Sequence, residues 1–328
     1  MTAMTVFAAS DFYKPVSTEC LFVGLFPSLA LYLRRDNGNF ILYKPEGIEL
    51  SELDRERFRK NGTGFVYVRT GDAEQINSYL EENLGHILER EDIEGETKGY
   101  VLSQVLVNYI SEIFKSPDRV ADIGRCLELL QHITTSGIDE FSIFRSLKNA
   151  SDGTYKVFTH SVDVAILSLI THNAIFAKSS EELTAVFMGA LFHDIGLSFL
   201  PSNIVDGPMA YSDIDYSMMK LHPQKGYSFL CEPWKDDYEI ALDVIRYHHE
   251  KFDGSGYPQG ISGARIPPCA QIVSICDVYS SLTFDRPFRA ATSPEKTLEI
   301  MSNESYIFNR EFFAIFRKII LEHQATLE

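Results

Sequence analysis

The chain has 328 residues, enough for a sizeable core and two domains of ordinary size. Its formal net charge of -16 excludes a general electrostatic grip on polymeric nucleic acid or on an anionic membrane, since both reward Lys and Arg. The best apolar run, Leu21 to Leu33, is broken by Gly24, Pro27 and Ser28 and falls short of the roughly 20 residues of a membrane span. With no secretory pattern at the start, a cytoplasmic protein without a membrane span is expected.

In chain order, LYLRRDNGNFILY has apolar arms around Asn37-Gly38 and predicts a hairpin. FVYVR, residues 65 to 69, predicts a strand between the Asn61-Gly62 and Gly71-Asp72 turns. Asp72 then stands as the cap of a helix through AEQINSYLEENLGHILER, where Ile76, Tyr79, Leu80, Leu84 and Ile87 recur at helical spacing. Residues 1–95 thus read as a small α+β accessory or regulatory module. The charged, glycine-containing stretch EREDIEGETKG, residues 89 to 99, is the candidate junction.

From Tyr100 onward the texture is helical, in VLSQVLVNYISEIF, ADIGRCLELLQHI, FTHSVDVAILSLITHNAIF, ELTAVFMGALFHDIG and IALDVIRYHH. The expected fold class is therefore an α+β module followed by an all-α bundle, with residues 96–150 a helical connector and 151–328 the helical domain. Five scattered cysteines, Cys20, Cys126, Cys231, Cys269 and Cys276, have no close metal-type pairing and read as buried thiols.

Of nine histidines, five fall with two aspartates at or near the ends of bundle helices: His160, His193-Asp194, His222, His248-His249 and Asp277. His193-Asp194 sits in an otherwise apolar run, where an unpartnered carboxylate would be costly. Imidazole with carboxylate suits Zn, Fe, Mn or Ni rather than a calcium loop. Seven ligands exceed the need of one tetrahedral zinc, whereas two metals sharing a bridging carboxylate would use them all. His86, His132, His172 and His323 have no acidic or imidazole companion at ligand spacing and read as ordinary hydrogen-bonded histidines.

The series HS at 160, HDIG at 193, HP at 222, HHEKFDGSGYPQG from 248 and IVSICD ending at 277 resembles the HD-GYP family of HD-domain phosphohydrolases. The resemblance runs from about Thr159 to Met301. It implies an all-helical domain carrying two or three metals, most often iron, with Mn or Ni as alternatives. It further implies hydrolysis of cyclic di-GMP to the linear dinucleotide or GMP. Carried onto matching positions, His160, His193, Asp194 and Asp277 would hold one metal, His222, His248 and His249 the other, and Asp194, the central catalytic residue, would bridge them. The GYP loop is implied as a metal-site neighbour and a surface for signalling proteins, with Tyr257 against substrate. LTFDRPFRAAT resembles the family's RPYR-like stretch, which makes Arg286 and Arg289 candidates for phosphate or guanine contact.

Several positions depart from the family. Relatives read HDIGK where this chain has Leu197, and loss of a comparable electrostatic group often costs about 10²–10³ in rate. Lys156 replaces the glutamate of trinuclear relatives, so two metals are expected here. Asp206 replaces a lysine, Phe288 the usual tyrosine after RP, and Ser280 a common acidic residue. Two readings follow: a binuclear-metal cyclic di-GMP phosphodiesterase of reduced activity, or a catalytically weak or inactive cyclic di-GMP receptor or scaffold signalling through the GYP loop and the first module.

Overall fold

The computed structural model describes residues 12–35, 38–118, 123–135, 142–146, 157–176, 180–201, 204, 212–284 and 290–325. The chain divides into two compact units, residues 1–105 and 106–328.

The first unit is built on a four-stranded sheet in the order β1-β4-β2-β3, with β1 Tyr13–Ser17, β2 Leu31–Arg34, β3 Phe40–Lys44 and β4 Phe65–Arg69. All three pairings are antiparallel, with Val16 opposite Val66, Tyr32 opposite Tyr67 and Arg34 opposite Phe40. The expected hairpin forms between β2 and β3; Asn37 lies outside the described residues, and Gly38 adopts the left-handed φ of 81° that a tight turn requires. Period-2 alternation in β4 sends Val66 and Val68 into the core, where both are fully buried. Tyr13, Tyr32, Phe40 and Tyr67 form an aromatic cluster, with Tyr13 stacked on Phe40 at 4.1 Å between centroids.

Helix α1, Glu52–Lys60, lies between β3 and β4 and begins with a reciprocal capping box of Ser51 and Asp54. The helix expected after Asp72 is two, α2 Ala73–Glu82 and α3 Leu84–Glu89, broken at Asn83. Asp72 makes no side-chain cap; the 3-10 turn Thr70–Asp72 leads into α2 instead. Ile76, Tyr79, Leu80, Leu84 and Ile87 are all buried, so the apolar face is continuous across the break. Helix α4, Gly95–Lys115, starts within the charged stretch, and Ile93 beside it is buried.

The second unit is helical. Helix α5 is Ile123–Thr135, α6 Val157–Phe176, α7 Ser180–Leu191, α8 Asp213–Met219, α9 His222–Trp234, α10 Glu239–Tyr247, α11 Pro268–Thr283, α12 Pro294–Asn303 and α13 Arg310–Ala325. Helix α6 is buried on nearly every face from Thr159 to Leu169, as befits the central helix of a bundle. Helices α7, α11 and α13 pack around it, and α10 crosses α7. That crossing depends on Gly189: a Cβ there would lie 2.7 Å from Val244 Cβ and 3.0 Å from the Ala241 backbone. No helix among the described residues is long and apolar enough to cross a membrane.

Candidate metal centre

The apolar run containing His193 and Asp194 is not one continuous helix. Helix α7 ends at Leu191, and the pair occupies the turn that leads into a 3-10 segment, Ile195–Phe199. His222 opens α9, and His248-His249 lie just past the end of α10. His160 stands near the start of α6 and Asp277 in the second half of α11, and packing of those two helices brings them together. Helix ends thus deliver most of these groups to one interior point.

Two glycines set the spacing. A Cβ on Gly196 would lie 1.9 Å from the His222 carbonyl oxygen, so only a hydrogen there lets the 3-10 segment press against the first turn of α9. Gly226, one turn further along α9, faces Ile195, Gly196 and Ile245 at 3.1 to 3.3 Å from its own notional Cβ.

All seven residues singled out as ligands converge. Asp194 reaches His193 Nε2 at 3.3 Å with one oxygen and His222 Nε2 at 3.2 Å with the other. His222 and His248 present their Nε2 atoms to each other at 3.2 Å. Asp277 lies 3.0 Å from His160 Nε2 and 3.8 Å from His249 Nδ1. Their ligand atoms form two overlapping groups, Asp194-His222-His248-His249 and His160-His193-Asp194, with Asp194 common to both. All are buried except His249, which is partly exposed.

The opposite edges of the His160, His193, His222 and His248 rings are held. His193 Nδ1 donates to the Ala190 carbonyl at 2.7 Å, His222 Nδ1 to Met219 at 2.7 Å, and His248 Nδ1 to Ile245 at 3.0 Å. His160 Nδ1 faces Ser280 Oγ at 3.0 Å, 120 residues away in sequence. Placing the proton on Nδ1 leaves a lone pair on each Nε2, the tautomer that a metal ligand needs. His193 Nε2 is buried, and beyond the ion-pair contact with Asp194 at 3.3 Å it makes no well-aligned hydrogen bond among the described residues. A cation is the group that this donor set fits.

The electrostatics agree at every shifted group but His193, which burial would lower and the Asp194 and Asp277 carboxylates instead hold up at about 9, so a cation entering there displaces a proton. Burial alone would raise the Asp194 carboxyl, but His193 and His222 hold it well below the usual carboxylate range. Asp277 is likewise depressed, by His160 and His249, against its burial. Burial pushes His248 well below the ordinary imidazole value and His249 down to about 3, each reinforced by neighbouring imidazoles. Neutral imidazoles beside ionised carboxylates are the protonation states that bind a divalent metal.

The GYP loop closes one side. Gly254 and Gly260 take left-handed φ values of 85° and 65°, and Gly256 has no room for a Cβ, with Lys251 N at 2.4 Å and His249 O at 2.5 Å. Tyr257 stacks on His249 at 4.7 Å between centroids. Glu250, buried beside the histidine pair, accepts from the Gln259 and Gly260 amides at 2.7 and 3.1 Å and so braces the loop. Leu197, where the family has lysine, is buried. Lys220, two residues before His222, holds its ammonium over Tyr216 at 4.4 Å and over Tyr257 at 5.5 Å. Sequence reasoning noted Glu250 only as the neighbour of the histidine pair and passed over Lys220 and the two spacing glycines, for which the adjacency of Lys220 to His222 was the signal. Ser280, read as a mere departure, anchors His160. Lys156, Asp206, Arg286, Phe288 and Arg289 lie outside the described residues.

Comparison with known proteins fits this architecture. Residues 169–308 match the family model described as HD domain. A cyclic di-GMP phosphodiesterase of Pseudomonas aeruginosa is 27% identical over 199 residues, 61% of this chain and 48% of its own length. The cyclic di-GMP phosphodiesterase response regulator RpfG of Xanthomonas campestris pv. campestris is 33% identical over 37% of this chain and 32% of its own. A 3'3'-cGAMP-specific phosphodiesterase of Vibrio cholerae is 32% identical over 51% of this chain and 39% of its own. The chain therefore spans less than half the length of each of these relatives. Among solved structures, a HDG"Y"P protein from Bdellovibrio bacteriovorus shares the fold at a TM-score of 0.66 and 18% identity, over 94% of this chain and 99% of that one. The match to the HD-domain model lies within the helical unit. With its HDIG turn and HHEKFDGSGYPQG loop, this part of the chain is similar to proteins of the HD-GYP type.

Proposed function

We propose that this protein is a metal-dependent phosphodiesterase acting on a cyclic dinucleotide of the cyclic di-GMP class. The observation that carries the proposal is the set of imidazoles whose Nδ1 edges are anchored and whose Nε2 edges converge on Asp194. In this reading His160, His193, Asp194 and Asp277 hold one divalent ion and His222, His248 and His249 a second, with Asp194 shared. Iron is favoured by family resemblance, ahead of Mn or Ni. Two such ions would supply Lewis acidity to a phosphodiester and lower the pKa of an attacking water.

The chain's own side chains then have distinct tasks. Asp194 spans the two halves with its two oxygens, so one carboxylate fixes their separation. Tyr257, flat against His249 and braced through Glu250, offers a face for a guanine base. Lys220 stands in for the lysine that Leu197 displaces, as a cation within reach of the phosphate. Arg286 and Arg289 are proposed as further phosphate or base contacts on the strength of the sequence.

The test is metal analysis and cyclic di-GMP turnover on freshly purified protein beside Asp194→Ala. About two Fe, Mn or Ni ions per chain and hydrolysis, both lost in the variant, are expected. Intact nucleotide across Fe, Mn and Ni would refute the enzymatic reading. The buried Leu197 supports a second reading, a cyclic di-GMP receptor or scaffold that signals through the GYP loop. Calorimetric binding without turnover, with turnover gained in Leu197→Lys, would favour it.

A further inference from the structure

A second group of metal-binding side chains lies elsewhere in the helical unit. His172 sits near the end of α6, Glu182 in the first turn of α7 and Cys269 in the first turn of α11. His172 is fully buried, Cys269 is 7% exposed, and the Glu182 side chain is 23% exposed. The expectation that His172 has no acidic companion at ligand spacing is therefore corrected: Glu182, in the first turn of α7, comes back beside the end of α6, and its Oε1 lies 3.3 Å from His172 Nε2. Cys269 Sγ lies 3.6 Å from the same nitrogen, and all three ligand atoms fall within 4.8 Å of one another.

The separations and the chemistry both point to a cation. Tetrahedral zinc with Zn–N and Zn–O near 2.1 Å and Zn–S near 2.3 Å has edges of about 3.4 Å between N and O and about 3.6 Å between N and S. The observed 3.3 and 3.6 Å match those edges. A direct hydrogen-bond account is less satisfactory, because one ring nitrogen faces both a carboxylate and a thiol. If Nε2 carries a proton it serves both poorly; if it is bare it accepts from the thiol and faces the carboxylate oxygen lone pair to lone pair. We propose that His172, Glu182 and Cys269 form a mononuclear Zn²⁺ site, with a fourth position open toward the partly exposed Glu182 side.

Twelve residues of α6 separate His172 from His160, about 18 Å at helical rise, so this site is independent of the Asp194 centre. Its role is to clamp α6, α7 and α11 together. Binding deprotonates the Cys269 thiol and passes that proton to solvent, with no change of oxidation state.

The distinguishing feature is sulfur, since the Asp194 centre has only nitrogen and oxygen donors. Full-length protein stripped with chelator is titrated with Co²⁺ and followed by near-ultraviolet thiolate-to-cobalt absorption. Wild type and Asp194→Ala are expected to show the band, Cys269→Ser to lose it together with one equivalent of metal, and Glu182→Gln to bind at least about tenfold more weakly. Absence of the band in wild type, or its survival in Cys269→Ser, would overturn the proposal. Should Cys269→Ser fail to fold, the band in wild type and the affinity of the more exposed Glu182→Gln variant decide: a band with unweakened binding in that variant also overturns it. Failure of the Asp194 centre would appear instead as unchanged metal content in Asp194→Ala.

Discussion

Substituting Gly196 by alanine tests the geometry of the centre without touching a ligand. The new Cβ would stand 1.9 Å from the His222 carbonyl oxygen, 2.7 Å from its carbon and 2.8 Å from the Gly226 nitrogen. Real Cβ contacts essentially never fall below 3.0 Å, so the 3-10 segment and the first turn of α9 must part by at least about 1.1 Å. No flexible side chain can yield instead, because every atom met is backbone. Ligand distances tolerate about 0.2 Å, so a displacement of that size between Asp194 and His222 should cost at least 10-fold in affinity for the metal of the His222 group. Overpacking should cost about 1–3 kcal/mol in stability. Metal content per chain and competition with a chelator read the first effect. Trp234, the single tryptophan, lies fully buried at the far end of α9 and reports unfolding by fluorescence. A variant that keeps the wild-type metal content and affinity would refute the claim that this contact sets the spacing.

Ser280→Ala removes the side chain that fixes His160 Nδ1 and should weaken the metal of the His160 group about 10–100-fold while leaving the His222 group loaded, as stepwise chelation would reveal. Glu250→Gln keeps the shape but replaces the ionised acceptor of two loop amides; elevated hydrogen exchange at Gln259 and Gly260 is expected, and unchanged protection would exclude the bracing role. In the first unit, Lys44, Ser51 and Tyr43 outweigh burial to hold buried Asp54 below its unfolded value. That stabilisation is present above about pH 4 and is lost as pH falls below it toward the folded value. Asp54→Ala should thus destabilise the unit by about 3 kcal/mol at pH 7 and progressively less in acid, and thermal melts whose difference is independent of pH would contradict this.

Much of this was legible because it is local. FVYVR became β4 to the residue, and the two arms around Gly38 became β2 and β3, since alternation and turn chemistry act over a few positions. The convergence of the proposed ligands was legible for another reason: a His-Asp pair in an apolar run needs a partner wherever the chain goes. What sequence did not disclose depends on what comes close in space. Asp72 reads as a helix cap, yet a 3-10 turn precedes α2 and leaves its carboxylate out of that role. Gly196 looked like one glycine among 20 until the His222 carbonyl was seen against it. His172 looked isolated because Cys269 lies 97 positions away.

The anchoring of the imidazoles has a consequence for how such a centre changes over generations. His193, His222 and His248 are oriented by carbonyls of their own preceding turns, at Ala190, Met219 and Ile245. Carbonyls belong to every amino acid, so no replacement at those three positions deletes the acceptor. His160 alone of these four takes its orientation from a side chain, Ser280. Inheritance can therefore rewrite the basicity of one imidazole by a single codon, while the other three are shielded from drift by the peptide backbone itself.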